Sequence, residues 1–413
     1  MRLYRTCMSL PMLFSFAIFV YLANKYSLNI PLWDDYYQYL NFLNRYVSSD
    51  SVHDKIMLLL KQHNEHRIAL PRLILLGYYQ FFGCLNFRNL LFISQFILAL
   101  AILPATFIFN KIDNRSPFLN FALATVLVLC PSQCGSFIWL GSALQQNLQI
   151  LLSLLTIFYL IDYLEIKSNR PLFLAMGLIL LNVFVGGGWI NIGLAVIVFS
   201  FLIKDKKLAT ISILIFLLMV LVNFKLLPYT IIPRPRPTLT EFLVFIIGFT
   251  GITFFTNRIS FLVGIMITAY EFKIIKQIFS NRILLLWTMF FGSNLLLIAF
   301  FRAGMGSHGI VDRYAIYSLV NLGILTNYFW LKENNLNRRI LIVYIFAIIN
   351  GVAFLKQIYR VYTPQELTYR NTQIVDTEDE GSAVAIYEKS RELGVYSSIT
   401  MDNNVMNWRN NKK

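Results

Sequence analysis

Long apolar runs set the first limit on what this chain can become. Leu91–Phe109, Leu148–Ile161 and Ile283–Phe301 are nearly uninterrupted apolar stretches of about 14–20 residues. A helix needs ~20 such residues to cross ~30 Å of hydrocarbon. The runs do not alternate with period two, which argues against a transmembrane β-barrel. Charged residues are 14% of the 413, against roughly 25% in an ordinary soluble domain. That is too little charge to coat a water-facing globule of this size. The fold class is therefore an all-α polytopic membrane protein. A soluble enzyme, a nucleic-acid binder and a disordered chain are excluded at this level.

The formal net charge of +15 reads as topology, because Lys and Arg collect in cytoplasmic loops. Arg2 and Arg5 place the N-terminus in the cytoplasm. The stretch from Leu10 to Ala23 lacks a small-residue cleavage site and reads as a first span, not a signal peptide. A long polar outside loop follows, 25–87, and its segment Ile68–Phe82 is expected to lie on the membrane surface. Later apolar segments alternate with basic loops at Lys111–Arg115, Lys167–Arg170, Lys204–Lys207, Lys273–Arg282 and Lys332–Arg339. Phe242–Phe255 and Ile259–Tyr270 read as two spans or as one span plus a re-entrant piece, and the basic residues at Lys273–Arg282 favour one net crossing. The count reaches about 11 spans in a module over 1–355, with the tail 356–413 outside as a small cap or a loose tail. The four cysteines make no disulfide framework, and Cys130 and Cys134 are read as ordinary thiols.

Polar groups cluster on the outside face. The first loop carries Trp33-Asp34-Asp35-Tyr36-Tyr37 and then His63-Asn64-Glu65-His66-Arg67. A later loop runs from Arg302 through His308 to Arg313 and Tyr314. Adjacent carboxylates repel, so one pKa tends to rise, and a carboxylate at a membrane surface can take a proton from an attacking hydroxyl. The neighbouring aromatic residues offer flat faces for sugars. The competing reading is an Asp helix cap beneath an interfacial aromatic belt. If the second cluster is helical, His63 shares a face with both His66 and Arg67. His66 and Arg67 then suit phosphate oxygens; a metal site or a solvated helix are the alternatives. Arg302 and Arg313 bracket a Gly/Ser/His loop that either neutralises an oxyanion or anchors two helix ends. Trp139, Gln145 and Gly186–Asn191 belong to other outside ends. No cytoplasmic loop is long enough for a nucleotide site, and no phosphate-binding Gly-rich loop is present.

The Trp-Asp-Asp-Tyr opening, the His-Asn-Glu-His-Arg segment and the later Arg…Asp-Arg-Tyr loop resemble the GT-C superfamily of integral membrane glycosyltransferases. In size and composition the chain looks most like phage-encoded serotype-converting O-antigen glucosyltransferases. The resemblance implies inverting transfer of a sugar, glucose by analogy, from a polyprenyl-phosphate donor to a polysaccharide acceptor on the periplasmic face of a bacterial inner membrane. It implies Asp34 as base on the acceptor hydroxyl, with Asp35 in a supporting role and Glu65 as the other carboxylate near the cleft. His66, Arg67, Arg302 and Arg313 would hold the leaving phosphate. Trp33, His63, Trp139, Gln145, His308 and Tyr314 would line the substrate site. No metal cofactor is expected, since a monophosphate donor needs less neutralisation than the pyrophosphate donors of metal-using members. A companion donor synthase and flippase would supply the lipid-linked sugar. Two other readings use the same residues: a transporter of a lipid-linked saccharide, and a polysaccharide acyltransferase with His63 or His308 as base.

Overall fold

The structure, a computed structural model, describes residues 2–64, 66–132, 135–186, 189–228, 230, 236–250, 258–304, 322–323, 326, 335–356, 358 and 380–411. Helices dominate it. α1 (Arg2–Tyr26) delivers the chain to the first loop, where a π-helical segment Tyr36–Asn41, α2 (Phe42–Val47), α3 (Val52–Leu60), a two-stranded hairpin and α4 (Ala69–Phe82) follow. Among the described residues, six helical segments have the length and apolarity to cross a membrane: Met8–Tyr26, Phe87–Ile112, Leu140–Ile166, Lys206–Leu226, Arg282–Arg302 and Leu336–Lys356. Four shorter apolar helices accompany them, at Pro117–Val128, Asn169–Phe184, Ile190–Leu202 and Leu239–Thr250. The protein is thus a helical membrane-embedded bundle.

Local sequence explains where several helices begin. α5 (Phe87–Leu100) starts behind Asn86, whose side chain accepts from the Asn89 N–H. It continues after Ala101 into α6 (Ile102–Ile112). α7 is Pro117–Val128, with Pro at its first position, where the missing N–H costs nothing. α8 (Gly135–Ile138) is a single turn ahead of α9 (Leu140–Ile166). After α10 (Asn169–Leu181) and α11 (Trp189–Leu202), α12 (Lys206–Leu221) is capped by Asp205, which accepts from the Leu208 N–H. α13 (Leu239–Thr250) and α14 (Arg258–Lys273) pack on each other so closely that a methyl group at Gly264 would overlap the Ile247 carbonyl oxygen. α15 (Ile275–Ser280) leads to α16 (Arg282–Arg302), capped by Asn281.

Buried amides join the helices inside the bundle. Asn350 donates to Ser15 Oγ and to the Val126 carbonyl, and Asn147 donates to Ser94. Such bonds replace the hydrophobic drive that lipid removes between helices. At one end Asp113 pairs with Arg115 (2.8 Å) and with the buried Arg339, and Asp205 pairs with Lys167 (2.8 Å). At the opposite end lies the first loop. The helices Glu380–Glu392 and Ile399–Asn411 dock on it: Tyr396 donates to the Asn29 carbonyl (2.7 Å), Leu85 N–H to the Val395 carbonyl (2.7 Å) and Asn44 to the Ile386 carbonyl (3.1 Å). The C-terminal segment and the first loop therefore share one end of the bundle.

Candidate functional site

α9 is 27 residues long, and the residue at its N-cap is Trp139, which makes no side-chain cap. A helix end buried without a cap is costly, and its N-terminus carries a partial positive charge. Asp35 meets that need from 106 residues away. Its Oδ1 accepts from the Gly141 N–H (2.8 Å) and from Gln38 Nε2 (3.2 Å), while Oδ2 accepts from the Leu32 N–H (3.1 Å). Asp35 is fully buried. Burial pushes its carboxyl up to about 7, against the pull of those three donors and with a small push from Asp34. Asp35 begins the Tyr36–Asn41 segment but caps another helix instead of its own.

This pKa has a consequence for stability. Between the ordinary value of 3.8 and about 7, the unfolded chain has lost the proton that folded Asp35 keeps. Stability from this group is therefore full below about pH 4 and lost as pH rises through about 7, with a slope of at most ~1.4 kcal/mol per unit. The thermal melting curves of wild type and Asp35→Asn, taken from pH 4 to 8 in detergent, should differ by this trend. A constant difference would show that Asp35 does not titrate in that window.

Asp34 has the opposite setting. Its side chain is 25% exposed, and His63 Nε2 stands 3.9 Å from its Oδ2. That distance suits an ion pair with protonated imidazole and exceeds a hydrogen bond. Trp33, with φ 50°, occupies the left-handed region that bulky residues rarely adopt. Its ring meets Trp139 edge-to-face at 5.1 Å. The two indoles and the two carboxylates thus gather at the N-terminus of α9. Gln38 extends the group: its Oε1 accepts from Gln145 Nε2 (3.3 Å). One turn deeper on α9, Gln149 donates to Asn294 Oδ1 (3.3 Å), which also accepts from Asn191 (3.2 Å). Buried amides thus continue inward from the acid pair along α9, α11 and α16.

The second cluster is not helical. Gln62–His63 and His66–Arg67 form an antiparallel hairpin, with His63 opposite His66 and Gln62 opposite Arg67. Asn64 turns the chain at φ 48°. Side chains alternate across a strand. His63 and His66 therefore face one side, with Asp34, and Arg67 faces the other; the helical pairing of His63 with Arg67 does not occur. Arg67 is buried, and its guanidinium donates to Asn223 Oδ1 (2.7 Å) and to the carbonyls of Leu60, Asn223, Leu227 and Pro228. Arg72, also buried, donates to the carbonyls of Leu58, Leu59 and Lys61 and to that of Gln38. Together the two arginines close the C-terminus of α3, whose carbonyls attract cations. Burial lowers Arg72 to about 10. Arg67→Lys removes the fork that spans two chain segments. Its expected effect is a loss of roughly 1–3 kcal/mol in melting experiments, more than any loss of ligand affinity.

Other expected site residues are placed as follows. Gln145 lies inside α9, which begins at Leu140, and not in a connecting loop. Arg302 is the last residue of α16. The bonds of Asn294 to the early turns of α9 and α11 show that the C-terminal end of α16 points toward the acid pair. Glu65, His308, Arg313 and Tyr314 lie outside the described residues. Cys130 is a buried free thiol, and Cys134 lies outside the described residues. Among the described residues no group of three or more His, Cys, Asp or Glu is arranged to hold a metal ion.

The sequence does not mark Gln38 or Arg72 as site residues, and Gly141, within Trp139-Leu140-Gly141-Ser142, is only a weak signal at an outside end. The Asp35-x-x-Gln38 spacing is that of a capping box and offered a signal for Gln38. A cleft of about 770 Å³ lies on the Gln62–Arg67 face of the hairpin and not on the Asp34 face. No protein-family model matches the chain, and no curated protein matches it.

Proposed function

We propose that this chain is a GT-C-like membrane glycosyltransferase of about 11 spans. It transfers a sugar from a polyprenyl-phosphate donor to a surface polysaccharide such as O-antigen, at the periplasmic face of a bacterial inner membrane. The observation that carries the reading is the division of the acid pair. Asp35 is locked as the cap of α9, while Asp34 beside it is partly exposed and faces His63. A proton acceptor must be reachable by the acceptor hydroxyl, and of the pair Asp34 is the one with exposed surface. Trp33 and Trp139 flank it with apolar faces suited to a sugar ring. Arg302 at the end of α16, with Arg313, holds the leaving phosphate; Arg67 acts through the shape of the loop. No metal is required for a monophosphate donor.

The purified protein in liposomes, given synthetic polyprenyl-phosphate glucose and polysaccharide, should produce glycosylated acceptor. Movement of donor between leaflets without product would replace the enzyme by a transporter. Incorporation of labelled acetyl instead of sugar would replace it by an acyltransferase.

The orientation follows from charge. Lys111, Arg115, Lys167, Lys206 and Arg339 sit at the end away from the first loop, and positive residues stay cytoplasmic. A cysteine replacing Ser49 should react with an impermeant maleimide in cells with a permeabilised outer membrane, and one replacing Lys206 should not. The reverse pattern would turn the bundle over.

A further inference from the structure

The cleft on the far face of the hairpin is not explained by the acid pair. Its floor is apolar, formed by Met57, Leu58 and Leu227 among others, and its rim is polar. Arg45 and Lys61 line it, both exposed, and neither has an ion-pair partner among the described residues. Arg67 adds a third positive charge behind the wall, and among the described residues Asp54 is the single acid in the lining. The lining is therefore net cationic.

The position of the cleft narrows the ligand. One wall is the exit of the span Lys206–Leu226, where Phe224 and Leu226 are 41% and 64% exposed on the bundle surface. The other wall is α3, where Ile56 is 51% exposed and no residue is fully buried. Between these walls Gln62 and Thr230 exchange two hydrogen bonds, Gln62 Nε2 to the Thr230 carbonyl (2.7 Å) and Thr230 N–H to Gln62 Oε1 (2.8 Å), which pin the loop after the span to the hairpin. A span ends at the headgroup layer, so apolar surface below and cations above face an amphiphile there.

We infer that this cleft binds the anionic headgroup of a bilayer glycerophospholipid. The phosphate sits between Arg45 and Lys61, and the acyl chains descend along Leu226 and Phe224. The bound lipid braces the loop that carries the hairpin, and with it His63 opposite Asp34. The inference does not depend on the sugar-transfer reading.

The test is native mass spectrometry of the full chain released from nanodiscs that contain phosphatidylglycerol or phosphatidylcholine. Wild type should retain phosphatidylglycerol selectively, and retention should weaken with salt. Arg45→Gln/Lys61→Gln should lower the apparent affinity roughly 30-fold, since each surface cation contributes about a fivefold factor. Met57→Trp fills the floor without touching charge and should also lower retention, which keeps the test valid if the double variant folds poorly. Equal retention of the two lipids, or wild-type retention in Met57→Trp, overturns the inference. Displacement of phosphatidylglycerol by an equimolar polyprenyl monophosphate overturns it too, because the cleft would then belong to the donor.

Discussion

Asp34→Asn is expected to lower sugar transfer roughly 10²–10⁴-fold, the usual worth of a general base, while the protein still inserts at its normal level. The amide keeps the size of the side chain and cannot take a proton. Asp34 is part-exposed and makes none of the bonds that cap α9, so the change leaves that helix end intact. Asp35→Asn should act differently. Its Oδ2 accepts from the Leu32 N–H, and an amide nitrogen there would set donor against donor. That variant should lose stability along with activity. His63→Gln removes the imidazole 3.9 Å from Asp34 Oδ2 and should lower transfer less than Asp34→Asn does. Glu65→Gln is the control for the other carboxylate. The measurement is glycosylation of purified acceptor, corrected for membrane level. Normal turnover in Asp34→Asn with loss in Glu65→Gln would move the base to Glu65. Normal turnover in both would favour a lipid-saccharide transporter.

The helices were legible wherever apolar residues ran together. Ile283–Phe301 anticipated α16 to within a residue or two, because only Thr288, Ser293 and Asn294 are polar in the run. The start of α9 was not legible by the same rule. Gln133–Gln146 carries Ser142, Gln145 and Gln146 and reads as a polar loop ahead of the run Leu148–Ile161. From Leu140 on, these residues are nonetheless helical and mostly buried; Gln38 bonds to Gln145, and further along Ser94 bonds to Asn147 and Asn294 to Gln149. Hydropathy does not see partners distant in sequence. The hairpin at Gln62–Arg67 was misread for a related reason. Spacing compared His63 with Arg67 as helix neighbours, whereas Asn64 at positive φ folds the chain back on itself. The acid pair stood out in the sequence, and a difference between its two carboxylates was expected. The cause of the asymmetry, an uncapped helix behind Trp139, lies more than a hundred residues away.

Gly141→Ala is expected to damage the site through a single methyl group. A Cβ at this position would stand 1.7 Å from Gln38 Nε2 and 2.8 Å from Gln38 Cδ. A flexible surface glutamine would swing aside at little cost. Gln38 has no such freedom: it is buried, its Nε2 donates to Asp35, its Oε1 accepts from Gln145, and its carbonyl accepts from Arg72. Moving it breaks a hydrogen bond to a buried carboxyl, which costs roughly 1–3 kcal/mol, and overpacking adds a cost of the same order. Melting temperature should therefore fall well beyond the few tenths of a kcal/mol of an ordinary glycine-to-alanine change near a helix start. Sugar transfer should fall with it, because Asp35 and the Gly141 N–H set the position of Asp34. Gly141→Ala/Gln38→Ala supplies the control. It removes the obstructing amide, so it should recover part of the melting temperature lost in Gly141→Ala, even though Gln38→Ala alone is destabilising. Additive losses in the double variant would mean that the methyl group and Gln38 do not meet, and that the close approach of the Tyr36–Asn41 segment to the α9 N-terminus is not what holds the acid pair.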